Sequence, residues 1–280
     1  MNIQKPANPI AVSSWSLHHV LGLTYKNGPL ATEPHVAHET YGPAKIALMD
    51  LPRELAARGY GRVEICYFHL ASQEPEYLMQ LRDAFRKHGV VIQTLLIDDG
   101  DITNPLSCER DLQWMAKWIK AAAILGAEHA RVIAGKSQPT PEALALSIAG
   151  LKGLTKLGVQ QGVRVVTENW FDLLSTPKHV HDVLDAVGSE LGFLADMGNW
   201  HGASKYSDLQ SIFARAELCH AKCSFADGLE IDGADYAACL KAAWASDYAG
   251  PFTLIFDSAG DEWQGLERER NFIARANIFD

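Results

Sequence analysis

GVRVVTENWFD, residues 162–172, decides the fold. From Val163 to Thr167 it is β-branched apart from one arginine, the composition of a buried strand. The run then closes on a carboxylate, Glu168, followed by Asn169 and the indole of Trp170. A strand that ends on a charge either runs out into a turn or delivers that charge to a site.

Working outward, the same kind of run recurs along the chain. The predicted strands are IAVSSW (10–15), RVEICYF (62–68), VVIQTLLI (90–97), HARVIA (129–134), VRVVTE (163–168), LGFLAD (191–196), ELCHAKC (217–223) and FTLIFD (252–257). Amphipathic stretches fill every gap, among them PAKIALMDLPRELAARG (43–59), TPEALALSIAGLKGLTKLG (140–158) and GLERERNFIARANIF (265–279). Several carry proline near the start and glycine at the end, the expected helix punctuation. Strict alternation of eight strands and eight helices argues a parallel sheet with helical crossovers. Units of this length in 280 residues predict a single-domain (β/α)8 TIM barrel spanning residues 1–280. An open doubly wound sheet is the alternative, but SSWSLHHVLG after the first strand is not the glycine-rich turn such folds use. One segment breaks the rhythm. Residues 16–43 separate strand 1 from helix 1 and hold His18, His19, His35, His38, Pro29, Pro34 and Pro43. A long loop at this end of a barrel is expected to be functional.

Bulk composition excludes several classes of function. With 25 basic and 34 acidic residues the net charge is −9, which disfavours nucleic acid and anionic membrane surfaces as partners. No apolar run is long enough to span a bilayer, and the N-terminus lacks a signal-peptide core. The five cysteines, Cys66, Cys108, Cys219, Cys223 and Cys239, are odd in number and scattered, which predicts free thiols in a reducing, cytoplasmic setting. Cys219 and Cys223 lack the second ligand pair a structural zinc site needs.

In a barrel the active site lies at the C-terminal ends of the strands. Strand 5 ends on Glu168, strand 6 on Asp196 and strand 8 on Asp257, and strand 7 carries His220. Four consecutive strands thus offer one metal ligand each at one rim. Three carboxylates converging with an imidazole repel one another unless a cation joins them. The mostly oxygen donor set suits Mn, Mg, Co or Zn. Lys222 lies two residues after His220 and shares its face, placed to hold a substrate oxygen. Glu64, inside an otherwise apolar strand, reads as a pocket acid. Trp15 and Trp170 follow or end strands, as do Trp200 and Trp263. Indoles at a site mouth suit the apolar face of a sugar or polyol.

VTENW, LADMGNW, CHAKC and LIFDSAGD, in this order along the whole chain, resemble the four metal-ligand motifs of the xylose isomerase-like barrels. More narrowly they resemble the sugar phosphate isomerase/epimerase group, which includes ketose 3-epimerases and inosose dehydratases. The resemblance implies that Glu168, Asp196, His220 and Asp257 bind one divalent metal, although Asp257 stands where that group usually has Glu. It further implies that Glu168 and Asp257 act as acid and base, and that His201 and His69 are polar groups meeting the substrate. Similar proteins are commonly dimers or tetramers. The expected function is a metal-dependent isomerase or epimerase of a ketose or keto-polyol, working through an enediolate formed beside a metal-held carbonyl. A dehydratase or lyase with the same site is the first alternative and a non-catalytic sugar-binding barrel the second. Cleavage of abasic DNA, a reaction of the same fold, is disfavoured by the negative charge and by too few strand-end histidines.

Overall fold

The computed structural model describes residues 8–32 and 35–276. Eight strands form a closed parallel barrel: β1 (Ile10–Ser13), β2 (Arg62–Cys66), β3 (Val91–Ile97), β4 (His129–Val132), β5 (Arg164–Glu168), β6 (Gly192–Asp196), β7 (Leu218–Lys222) and β8 (Phe252–Ile255). β1 closes the ring, pairing Ile10 with Phe252 on one side and Val12 with Val63 on the other. The crossover helices are α1 (Leu51–Ala57), α2 (Pro75–Lys87), α3 (Cys108–Leu125), α4 (Pro141–Gln161), α5 (Pro177–Val187), α6 (Lys205–Phe213), α7 (Gly233–Ala245) and α8 (Glu262–Ala276). Each strand matches its predicted run to within two residues at either end.

Alternation along the strands explains how the barrel is filled and where its site sits. Val166, Leu194 and Leu218 form one buried cluster. Each lies two residues before Glu168, Asp196 or His220, and therefore on the same face. Apolar side chains plug the barrel at that level and polar ones open it at the next.

Two helices differ from their predicted spans. The first is α-helical only from Leu51, after a 3₁₀ turn over Leu48–Asp50. A helix through Pro43 would bury Pro52 in its interior, where the ring blocks an i→i−4 hydrogen bond; at the first turn it costs nothing. The freed segment joins the loop instead, its Lys45 and Ile46 amides donating to the Val20 carbonyl at 2.9 and 3.3 Å. α4 runs past Gly158 and ends at Gly162, which caps it with φ 72°. Gly158 is a packing residue: a Cβ there would meet Val165 Cγ2 at 2.6 Å and the Val163 carbonyl oxygen at 2.7 Å. Residues 277–279 of the predicted last helix, like Pro34, lie outside the described residues.

The segment 16–43 is partly ordered structure. A single helical turn, His18–Leu21, is followed by a short hairpin pairing Thr24–Tyr25 with Ala37–His38. Glu262, at the start of α8, accepts the amides of His19 and Val20 at 2.8 and 2.9 Å. On the far side the Trp114 indole donates to the Asn27 carbonyl at 2.7 Å. The loop is thus tied to helices on both flanks of the mouth.

α8 also carries a buried acid, packed against the end of β8. Glu269 is fully buried; Oε2 accepts the Ile255 amide at 3.1 Å, while Oε1 has no hydrogen-bond partner among the described residues. Burial pushes its pKa well above the ordinary 4.5, and the Ile255 amide only partly opposes this. The folded chain therefore keeps a proton that the unfolded chain releases above about pH 4.5, and stability falls as pH rises through the folded pKa. A tenfold change in that equilibrium is worth about 1.4 kcal/mol. Glu269→Gln is expected to match the parent at pH 4 and to exceed it by about 1 kcal/mol or more at pH 8, read by urea unfolding. A Gln variant less stable than the parent at pH 8 contradicts the assignment.

Candidate active site

Asp196 and His220 are register partners on adjacent strands. His220 Nδ1 lies 3.4 Å from Asp196 Oδ2 and 3.8 Å from Glu168 Oε1. All three residues are buried, and their ligand atoms lie within 4.8 Å of one another. The other ring nitrogen, Nε2, is 2.8 Å from Glu64 Oε2. Glu64 is fully buried, and its Oε1 accepts Gln93 Nε2 at 2.9 Å and Thr94 Oγ1 at 3.0 Å. This acid beneath the site orients the imidazole and leaves Nδ1 facing the carboxylates, the arrangement found behind metal-binding histidines. Burial disfavours the charged imidazolium, yet the Glu64 and Glu168 carboxylates outweigh it and hold His220 well above the ordinary histidine range. Glu64 responds reciprocally: burial raises it, and His220 lowers it further.

The end of β5 is held from several sides. Asn169 bridges to β6: its Oδ1 accepts the Asp196 amide at 2.7 Å and its Nδ2 donates to the Asp196 carbonyl at 3.1 Å. Asp196 Oδ1 accepts the Gly198 amide at 2.6 Å. Glu168 Oε1 accepts Asn199 Nδ2 at 2.8 Å. Oε2 lies 3.2 Å from Arg131 Nε but has no hydrogen-bond partner among the described residues. Burial alone would raise the Glu168 pKa; the Arg131 guanidinium and His220 overcome it and bring it to about 2. Phe171 then adopts φ 57°, a left-handed value, as its ring stacks on Trp170 at 4.3 Å. For a bulky side chain this is strain of about 1–3 kcal/mol, retained where the backbone is otherwise fixed.

A cavity of 260 Å³ opens over these groups. Trp15 and Trp170 line it, together with Lys222 and Asp257. Asp257 lies two residues beyond the end of β8, exposed, and its Oδ2 accepts Lys222 Nζ at 2.9 Å. It stands on the rim, outside the close group of Glu168, Asp196 and His220. Burial is the largest single influence on the Lys222 pKa and lowers it, but the bond to Asp257 and the charges of Asp196, Asp257 and Glu168 together outweigh it, so the ammonium is held above its ordinary value.

His69 and His201 are not brought to this cavity. A 3₁₀ turn over Tyr67–His69 follows β2, and each residue of such a turn swings the side chain by about 120°. Phe68 therefore lines the cavity, whereas His69 faces a separate apolar pocket with Leu21 and Met49. Its Nδ1 bonds Ser14 Oγ at 2.9 Å, and burial brings its pKa down to about 3. His201 is exposed and lines an adjoining cavity. Trp200 is buried, its indole donating to the Leu174 carbonyl at 3.2 Å, and Trp263 packs under Arg58 at 4.1 Å.

Two residues that sequence reasoning did not single out are prominent. Arg131, on β4, is buried against Glu168 and Asp98, with the Trp170 ring 5.1 Å from its guanidinium carbon. A charge inside the apolar run HARVIA is the same signal that marked Glu64. Asp98 directly follows β3, at the rim where Asp196 ends β6. The cavity lining holds four carboxylates, Asp98, Glu168, Asp196 and Asp257, against two fixed cations, Arg131 and Lys222. Two negative charges remain when His220 is neutral, as a metal ligand must be, and one divalent ion would balance them. The buried, unbonded Glu168 Oε2 and the N,O donor set fit such an ion. A second close group, His18, His19 and Glu262, is explained without one, because Glu262 already accepts two backbone amides.

Fold and site together define a (β/α)8 barrel with a carboxylate and histidine group at its C-terminal mouth. The chain belongs to the xylose isomerase-like TIM barrel family, whose model matches residues 52–276. No curated protein matches it in sequence. Solved structures of similar fold include an L-ribulose 3-epimerase, at 15% identity over 98% of this chain and 95% of that one, TM-score 0.70. Others are a 3-keto-D-glucoside 4-epimerase from E. coli (14%, 82% and 94%, TM-score 0.65) and a xylose isomerase-like TIM barrel protein from Mycobacterium smegmatis in complex with magnesium (16%, 97% and 97%, TM-score 0.68). At these identities the likeness is one of fold.

Proposed function

We propose that the chain is a divalent-metal-dependent isomerase or epimerase of a neutral ketose or keto-polyol. The observation that carries this reading is the buried group of Glu168, Asp196 and His220 at three consecutive strand ends, beneath a cavity of one sugar ring's size. Glu168, Asp196 and His220 would hold the ion, with Asp257 on the rim beside them, its Oδ2 bonded to Lys222. When bound, a divalent ion supplies Lewis acidity to a carbonyl oxygen and so acidifies the neighbouring carbon. Glu168 is ionised across the working pH range and takes the α-proton. Asn199 and Arg131 fix its carboxylate, so the acceptor oxygen does not wander. Trp15 and Trp170 cover the apolar face of the ring and keep bulk water from the carbanion. Asp257 returns a proton, relayed from Lys222, to the opposite face or to the neighbouring carbon. The electroneutrality of the metal-loaded lining favours an uncharged sugar over a phosphorylated one.

A second reading, elimination, is favoured by the Lys222 ammonium at the rim. It could protonate a departing β-hydroxyl and yield a dehydratase. Five cysteines without disulfides support a reducing, cytoplasmic setting, and no helix among the described residues is long and apolar enough to cross a membrane.

The test is solvent exchange. Ketoses and keto-cyclitols incubated in D₂O with the Mn- or Co-loaded protein should lose an α-proton signal by NMR, and a chelator should stop the loss. Product configuration then separates epimer, isomer and dehydrated product. No exchange with any of them in either metal would overturn the reading.

A further inference from the structure

We propose that a second cavity beside the first is a subsite for a second sugar ring, and that the preferred substrates are glycosides of a keto-sugar. This rests on the reaction proposed above. The cavity measures 520 Å³ and opens on the same rim, between the segments that follow β6 and β7. Lys222 borders both cavities. Its stem lies over Gly198, where a Cβ would come within 2.7 Å of Lys222 Cδ, so a side chain at 198 would displace the wall between them.

Size points to more than one ring. Small-molecule sites occupy about 300–1,000 Å³. The first cavity, at 260 Å³, falls just short of that range, and the two joined fall inside it. The lining of the second is set up for hydroxyl groups against a flat apolar plate. Tyr206 shows 40% of its surface, and its hydroxyl bonds Asp235 Oδ1 at 3.0 Å, which fixes the ring. Buried Lys205 places Nζ 2.7 and 2.8 Å from the two oxygens of the same aspartate. His201 and Ser224 complete the lining. An aromatic face beside convergent polar groups is how a sugar ring is held. Asp232 and Asp235 also line the cavity against Lys205, while Lys222 is already paired with Asp257. The absence of net positive charge in that lining disfavours a phosphate and favours a neutral ring.

The metal-loaded protein should be given fructose and a panel of keto-disaccharides that includes lactulose and isomaltulose. Saturation-transfer NMR reads which ring is touched, and α-proton exchange gives kcat/KM. The expected result is saturation of the second ring and a kcat/KM at least tenfold above that for fructose. Ser224→Trp, which fills the second cavity, and Tyr206→Ala, which removes its plate, should each cut the ratio of the two kcat/KM values at least tenfold. Fructose turned over with no second-ring saturation by any disaccharide overturns the subsite and leaves the reaction standing. So does a ratio unmoved in both variants. Second-ring saturation lost in both variants, with no exchange on any sugar, upholds the subsite and overturns the reaction. Binding of neither sugar overturns both.

Discussion

Glu168→Gln is expected to lower ketose turnover by about 10³-fold or more while leaving the fold intact. General-base removal alone is worth about 10²–10⁴-fold, and the same substitution removes one anionic ligand from the proposed ion. Glutamine fills the same volume and can still accept from Asn199, so the chain should still fold, although losing the charge opposite Arg131 should lower its stability in urea unfolding. Because base and ligand act as one unit, Glu168→Gln and Asp196→Asn should be far from additive in kcat. Steady-state kinetics at saturating metal decide it. A loss under tenfold would mean that Glu168 neither takes the proton nor holds the ion.

The largest expected effect on stability belongs to Arg131. Its guanidinium is buried between Asp98 and Glu168, and two charges and desolvated N–H groups depend on that arrangement. Removing one partner of a buried ion pair costs about 3–5 kcal/mol, because the remaining charge is left uncompensated. Arg131→Met, of similar length and without charge, is expected to lose that much in urea unfolding of the chelator-treated protein. Arg131→Met with Asp98→Asn should recover part of the loss, since one stranded carboxylate is then gone. A cost below about 1 kcal/mol would show that the pair is not compensated by Arg131 in this way.

The barrel was legible because its evidence repeats. Eight apolar runs each end near a glycine, proline or charged residue, and an error in one leaves seven others. The group of Glu168, Asp196 and His220 was legible for the same reason: strand ends in a parallel barrel share a rim, so linear spacing maps onto space. Lys222 followed from simple alternation. His69 lies outside the cavity because a 3₁₀ turn intervenes between strand and side chain, and alternation holds only inside the strand. Asp257 was displaced by a related cause, two residues beyond β8, where Lys222 is nearer than His220. Arg131 carried the signal already used for Glu64, but its partners, Asp98 and Glu168, come from strands on either side, and that convergence is visible only in three dimensions. The start of α1 was misplaced because helical periodicity continues through Pro43–Ala47 while the chemistry of Pro52 forbids it.

The most direct measurement is the number of divalent ions bound per chain, by elemental analysis after dialysis. It should be made on the parent protein, Glu168→Gln and Asp257→Ala, each loaded in turn with Mn, Mg, Co and Zn. The expected result is about one ion per parent chain, lost in Glu168→Gln and kept in Asp257→Ala, which marks a site built on Glu168, Asp196 and His220. No ion in the parent with any of the four metals, or an ion kept equally in Glu168→Gln, would contradict the account.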